Sequence, residues 1–295
     1  MSVKKVLVIR FRRIGDAVLS VVICSSIRKS FPEAEIHYVL NDHIAPLFEN
    51  HPDIDKIITF SDEENNHFFK YLRKVRQLMK TERYDVIIDT RATIKTLWFS
   101  AFSLRTKYRI GTSKFYNHFF HNYRVRNHVN DDLDEVVRNL LLLRPLERER
   151  KLIMTTDFRL YVTEQETAEF KSYMEQKGIN FSRFIVVCTP FTRVAGKAWD
   201  MAKMKEILSR IIQRYGAQLI FNYSRIEKEA ALALYEDMGK DEHIFIDIEA
   251  DSLRKLVSML EIADFFFGNE GGPRHLAHAL DVPSFAIFPP HIDKT

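Results

Sequence analysis

Cysteine is almost absent from this chain: two residues in 295, Cys24 and Cys188. One sits in an apolar helical stretch and the other in an apolar strand pattern, which excludes a disulfide framework and a cysteine-rich metal site. They read as reduced core residues and point to a reducing compartment. Long apolar runs are missing as well. No stretch approaches the roughly 20 residues of a membrane-spanning helix, and the opening Met1-Ser2-Val3-Lys4-Lys5 passes straight into a strand pattern without a secretory apolar region. The expectation is a cytoplasmic protein with no transmembrane segment. A third absence is local. Residues 90–130 contain no acid, against eight Arg or Lys and nine aromatics, among them Trp98, Phe102, Tyr108, Phe115, Tyr116 and Phe119. Such a stretch could bind nucleic acid, meet an anionic glycolipid at a membrane face, or be a solvated cationic face over core aromatics. Nucleic acid ranks last of the three, because no nucleic-acid module is legible.

What is present describes a globular α/β protein. Hydrophobic content of 46% and charged content of 28% are ordinary for such a chain, and its length suffices for two domains that each bury a core. Charge is uneven: residues 1–145 carry 24 Lys+Arg against 17 Asp+Glu, and the remainder 20 against 23. Apolar runs alternate with helical patterns throughout, which predicts parallel sheets covered on both faces. Strands are expected near 6–11, 36–40, 56–60, 85–90 and 108–111, then near 184–189, 217–223, 243–247, 264–268 and 284–288. Helices are expected near 16–30, 43–50, 66–81, 94–104 and 132–143, then near 163–177, 200–214, 225–238, 251–261 and 273–280. The charged stretch Arg144-Pro145-Leu146-Glu147-Arg148-Glu149-Arg150 begins the connection between halves, giving expected domains 1–150 and 151–295.

The most informative segment is Phe265-Phe266-Phe267-Gly268-Asn269-Glu270-Gly271-Gly272-Pro273-Arg274-His275-Leu276-Ala277-His278-Ala279-Leu280. A buried strand ends here in a glycine turn and opens into a helix, a junction whose free N–H groups and helix dipole can hold a phosphate. Gly271 and Gly272 would let the backbone come close, Pro273 suits a first helical turn, and Glu270 could accept ribose hydroxyls. The same punctuation is common in α/β folds without any ligand. The amino terminus repeats the grammar, with Val6-Leu7-Val8-Ile9-Arg10-Phe11, then Arg12-Arg13-Ile14-Gly15-Asp16, then a helix to about Lys29. Between the two lies Thr189-Pro190-Phe191-Thr192-Arg193-Val194-Ala195-Gly196-Lys197-Ala198-Trp199.

These three segments, in this order, resemble the heptosyltransferases, glycosyltransferase family 9. In that family an S-S-x-G-D segment carries the catalytic Asp, a loop ends in K-x-W, and a D-[ST]-G-x-x-H-L-x-x-A-L motif binds the nucleotide-sugar. Here Arg12 and Arg13 stand where the small serines are usual, and Glu270 stands for the usual Asp. Family members continue for several tens of residues past the strand near 284–288, so a truncated second domain is expected. The resemblance implies a GT-B-like fold of two Rossmann-like domains facing across a cleft, the first binding the acceptor and the second the nucleotide-sugar. It implies metal-independent, inverting sugar transfer, with heptose from ADP-heptose moved to a lipopolysaccharide-type acceptor. No cofactor beyond the nucleotide-sugar is implied, and an anionic glycolipid acceptor would place the enzyme peripherally at the inner membrane.

Asp16 is then the catalytic base; read from position alone a helix N-cap comes first, and the resemblance reverses that order. Lys197 and Thr192 would contact the donor diphosphate, although Lys197 could also be a solvated loop residue. Arg12 and Arg13 would meet an acidic acceptor group, or else pair with a nearby acid. His275 reads as a phosphate-side or dipole-orienting residue and His278 as packing, since no further ligand completes a metal site. Glu227 and Glu229 are weaker candidates for the ribose. A nucleotide-sugar epimerase of the same architecture, or a non-catalytic nucleotide-sugar-binding homologue, would share these features.

Overall fold

The computed structural model describes residues 3–126, 133–192 and 198–289. The near-continuous apolar runs become parallel strands buried on both faces, the pattern that helices on either side of a sheet impose. The first domain contains β1 (Lys5–Ile9), α1 (Ile14–Ser30), β2 (Glu35–Asn41), β3 (Lys56–Phe60), α2 (Asp62–Asn66), α3 (Phe68–Glu82), β4 (Val86–Asp89), α4 (Leu97–Ala101), β5 (Tyr108–Thr112), β6 (Tyr123–Val125) and α5 (Glu135–Leu141). Its sheet order is β3-β2-β1-β4-β5-β6. Every pairing is parallel, with Val6 in register with Ile36 on one side and Val86 on the other. This is the doubly wound order of mononucleotide-binding folds, which changes direction between β1 and β4.

The second domain contains α6 (Glu164–Gln176), β7 (Ile185–Thr189), α7 (Met201–Tyr215), β8 (Gln218–Phe221), α8 (Lys228–Asp237), β9 (Ile244–Phe245), α9 (Leu253–Ile262), β10 (Phe265–Asn269), α10 (Gly272–Ala279) and β11 (Ser284–Ile287). Its order is β11-β10-β7-β8-β9, again all parallel, with the change of direction between β7 and β10. The chain divides after Phe158. Residues 153–155 stay with the first domain because Ile153 and Thr155 donate their N–H groups to Ser30 Oγ and Ser26 Oγ on α1. No helix among the described residues is long and apolar enough to cross a membrane.

Several elements differ from the sequence expectation. The amino-terminal helix is buried around most of its circumference rather than amphipathic, because the sheet, α5 and residues 153–155 enclose it. The segment 43–50 forms only a short 3-10 turn at Ala45–Phe48, opened by Pro46. The helix expected at 66–81 is α3, and an unexpected short helix precedes it: the reciprocal cap of Ser61 and Glu64 starts α2, and the chain leaves helical geometry at His67. The helix expected at 94–104 is confined to Leu97–Ala101, and that at 225–238 opens as a 3-10 turn. The edge strand β6 was not expected; its three residues are too short for a periodic signal.

Candidate active site

In open doubly wound sheets, ligands sit beyond the carboxyl ends of the strands at the change of direction. In the first domain that point joins the residues after β1 to those after β4. Asp16 lies here, in the first turn of α1 rather than at its N-cap: Arg13 occupies the cap position, and the cap makes no side-chain hydrogen bond. The carboxylate is instead held by Arg10, whose Nη2 lies 2.7 Å from Asp16 Oδ2. Arg10 is buried, its side chain 5% exposed, while the Asp16 side chain is one-third exposed. The guanidinium also donates to Thr90 Oγ1 at 3.3 Å and approaches Glu135 Oε1 at 3.5 Å. Burial raises the Glu135 carboxyl, Arg10 opposes that rise, and Asp16 adds to it. One buried cation thus serves two carboxylates, leaving Asp16 reachable from solvent.

Arg12 and Arg13 are exposed beside this group and form no ion pair among the described residues. Arg12 adopts a left-handed backbone, φ 52°, fixed by its N–H donating to Asn41 Oδ1 at 2.9 Å. Its charge depresses the Lys95 ammonium, after the larger effect of burial. Cations gathered without counter-charge favour an anionic group.

A further pair lies directly beneath. Asp89 closes β4 fully buried, its Oδ1 accepting the N–H groups of Arg91 and Ala92 at 3.2 and 2.8 Å. Its Oδ2 has no hydrogen-bond partner and faces His121 Nε2 across 3.8 Å. The His121 ring lies on Gly111, where any Cβ would collide with it. Burial pushes the Asp89 carboxyl up to about 6, whereas burial and then Arg109 push the His121 imidazole down to about 4.

In the second domain the change of direction joins the residues after β7 to those after β10. Thr192 follows β7, and Glu270, Gly271 and Gly272 follow β10; Lys197 lies outside the described residues. Asn269, buried at the end of β10, donates to the Pro190 carbonyl at 2.7 Å and accepts the Trp199 N–H at 3.0 Å. It therefore ties the two loops of this crevice together. Helix α10 begins at Gly272 with no side-chain cap, so its first N–H groups are not taken by a capping side chain. Gly271 is in extended geometry, and a Cβ there would meet only Pro273 Cδ at 3.9 Å. The open space above Gly271 is what a phosphate approach needs. His275 Nε2 lies 3.9 Å from Glu270 Oε1 on the same turn.

Other candidates fall elsewhere. His278 is exposed on α10. Glu227 accepts the Ser224 N–H and hydroxyl at 2.7 and 2.6 Å, so its carboxylate caps a turn, and Glu229 is an exposed helix residue. Arg109 is buried and donates to the carbonyls of Leu104, Thr106 and Phe120, while Lys107 pairs with Glu149. Glu35, His37 and Glu82 cluster with metal-like spacing at the opposite edge of the first sheet, where the Lys5 ammonium binds both glutamates.

Residues 72–295 match the family described as Glycosyltransferase family 9 (heptosyltransferase). The chain belongs to glycosyltransferase family 9. The glycine turn after β10 lies inside the matched stretch and Asp16 precedes it. This glycosyltransferase is 23% identical over 294 residues to lipopolysaccharide heptosyltransferase 1 of Campylobacter coli, covering 96% of this chain and 83% of that protein. Its fold resembles the glycosyl transferase family 9 structure from Veillonella parvula DSM 2008, with TM-score 0.84 at 17% identity, over 97% of this chain and 80% of that one. It also resembles E. coli heptosyltransferase WaaC with ADP-2-deoxy-2-fluoro heptose, with TM-score 0.74 at 17% identity, over 99% and 90% of the two chains. The glycosyltransferase is thus α/β and GT-B-like, built from two parallel-sheet domains. Arg10, Glu135 and Asn269 were not singled out from the sequence. Arg10 had one visible signal, a charge closing an otherwise apolar strand.

Proposed function

We propose that this glycosyltransferase moves a sugar, heptose from ADP-heptose, onto a lipopolysaccharide-type acceptor with inversion and without a metal ion. The observation that carries the reading is Asp16 at the first domain's change of direction, solvent-reachable and oriented by a buried arginine. Its Oδ2 is engaged by Arg10, which leaves Oδ1 to take the acceptor hydroxyl's proton. As that proton leaves, the hydroxyl oxygen bonds to the anomeric carbon, and the bond from that carbon to the diphosphate oxygen breaks with its electron pair. Arg10 holds the carboxylate in place through a charge-assisted contact. Arg12 and Arg13 would take an acidic group of the acceptor.

On the donor side, the uncapped start of α10 and the backbone at Gly271 and Gly272 would hold the diphosphate, with Thr192 donating to it and Lys197 offsetting its charge. Glu270 would accept ribose hydroxyls, and His275, beside it, would lie on the phosphate side. The solved relative titled with ADP-2-deoxy-2-fluoro heptose supports an adenosine diphosphate donor. A lipid-linked acceptor would make the enzyme a cytoplasmic protein held peripherally at the inner membrane.

The test is a thermal-unfolding screen of ADP, ADP-heptose and UDP-sugars, followed by product analysis with and without acceptor. A ligand at 100 times its Kd adds about 2.7 kcal/mol to stability, so ADP-linked compounds should raise the midpoint clearly and UDP-sugars should not. Gly271→Val should fold normally, because only Pro273 Cδ lies near the added carbon, and should lose the shift. Stabilisation by UDP-sugars alone, or an unchanged shift in Gly271→Val, would overturn the donor assignment. Epimerised donor in the absence of acceptor would replace transfer by epimerisation.

A further inference from the structure

The first domain places large exposed apolar side chains, four of them aromatic, along the carboxyl edge of its sheet. Phe68 and Phe69 begin α3 after β3, Ile94 follows β4, and Phe115 and Phe119 follow β5; they are 55%, 83%, 70%, 89% and 76% exposed. Large apolar groups standing this far into solvent, grouped at one edge, mark a contact surface. The three loops that carry them are bonded to one another. Lys95 donates to the Asn65 carbonyl at 2.6 Å, the Phe68 and Trp98 ring centres are 6.2 Å apart, and Tyr116 Oη donates to the Ala92 carbonyl at 3.0 Å. They therefore present one surface rather than three independent tips.

Charge decides what this surface fits. Arg12, Arg13, Arg91 and Lys114 are exposed at the same edge without an ion pair among the described residues. Residues 90–126 contain no acid, and on the flanking α2 Glu63 pairs with Lys70 and Glu64 with Lys74. Aromatic rings between unpaired cations match the boundary of an anionic bilayer, where rings enter among the acyl chains and cations meet headgroup phosphates.

We infer that the carboxyl edge of the first domain, through Phe68, Phe69, Phe115 and Phe119 with Arg91 and Lys114, docks the enzyme on an anionic phospholipid bilayer. The inference deepens the proposed lipid-linked acceptor and rests on that reading. Docking would bring the Asp16 crevice, at the same sheet edge, to the membrane surface where such an acceptor lies.

Sedimentation of the full chain with vesicles containing neither donor nor acceptor tests it. Vesicles with about one-third phosphatidylglycerol should bind the protein, pure phosphatidylcholine should bind it at least about tenfold less, and added salt should release it. Phe115→Ser with Phe119→Ser should lower partitioning about tenfold or more, the loss expected when buried rings are removed, and Phe68→Ser with Phe69→Ser should do the same. Leu104→Ser, exposed between α4 and the amino end of β5, should change nothing. The thermal midpoint of Phe115→Ser with Phe119→Ser should match the parent, because those two rings are 89% and 76% exposed. Absence of binding, equal binding to neutral vesicles, or equal loss in Leu104→Ser would overturn the inference. Vesicle binding and nucleotide stabilisation are separate readouts, so a failure of docking and a failure of the donor assignment are told apart.

Discussion

At the scale of single residues, the proposed base Asp16 is held by buried Arg10. A guanidinium with a 5% exposed side chain survives burial only because carboxylates and a hydroxyl surround it. Asp16→Asn keeps the side chain's size and removes its basicity. Turnover should fall about a hundredfold or more, with nucleotide affinity and thermal midpoint near the parent values. Arg10→Met should lower both turnover and stability, the latter on the order of 1–3 kcal/mol, because it leaves two carboxylates without their shared cation. Steady-state kinetics with thermal unfolding separates the two. Near-parental turnover in Asp16→Asn would send the base to another carboxylate, Glu135 first. The motif made Asp16 legible in the sequence; Glu135 reaches it only because α5 packs on α1, a contact between residues far apart in the chain.

Elements show a second kind of division. The end of β10 and the turn after it contain glycines of different function, although in the sequence they look alike. At Gly268 a Cβ would lie within 2.5 Å of the Thr189 carbonyl oxygen on the adjacent strand, so this glycine serves the close approach of β10 to β7. At Gly271 the space is open. Gly268→Ala should therefore cost about 2–3 kcal/mol by overpacking, and Gly271→Ala close to nothing in the absence of ligand. Urea denaturation of the two variants checks the contrast, and equal stability would refute it. Element type was legible wherever apolar runs were long, as in β1, β2 and β7. It failed where capping decided the outcome: the Ser61–Glu64 cap starts the extra helix α2 ahead of the expected one, and apolar periodicity carries no record of such a bond.

Stability of the molecule as a whole carries a pH signature from the buried Asp89–His121 pair. Asp89, raised to about 6, contributes stability that is full below the ordinary carboxylate range and is lost as pH rises through its folded value. His121, lowered to about 4, contributes stability that is present above the ordinary imidazole range and is lost as pH falls through its folded value. Between about 4 and about 6 the two trends oppose each other and flatten the parent's profile. Asp89→Asn removes one and leaves the other. Its stability relative to the parent should fall as pH drops through that window, by roughly 3 kcal/mol for a shift of about two units. Thermal unfolding at several pH values measures this, and parallel profiles for parent and variant would refute it.

Much of this protein was determined by its sequence alone. Alternating apolar runs and helical patterns specify parallel α/β domains, because a strand covered on both faces must be apolar at nearly every position. Three short motifs in order specify the family, and they place Asp16 and the glycine turn at strand ends. The tertiary structure alone decided that those ends are the two points where strand order reverses, since pairing is set by contacts between residues far apart in the chain. It also decided which charges stay in solvent. Of the eight cations of residues 90–130, Arg109 is buried, Lys107 is paired, and Arg91 and Lys114 are exposed. That division follows from which sheet edge each loop leaves, and composition holds no information about it.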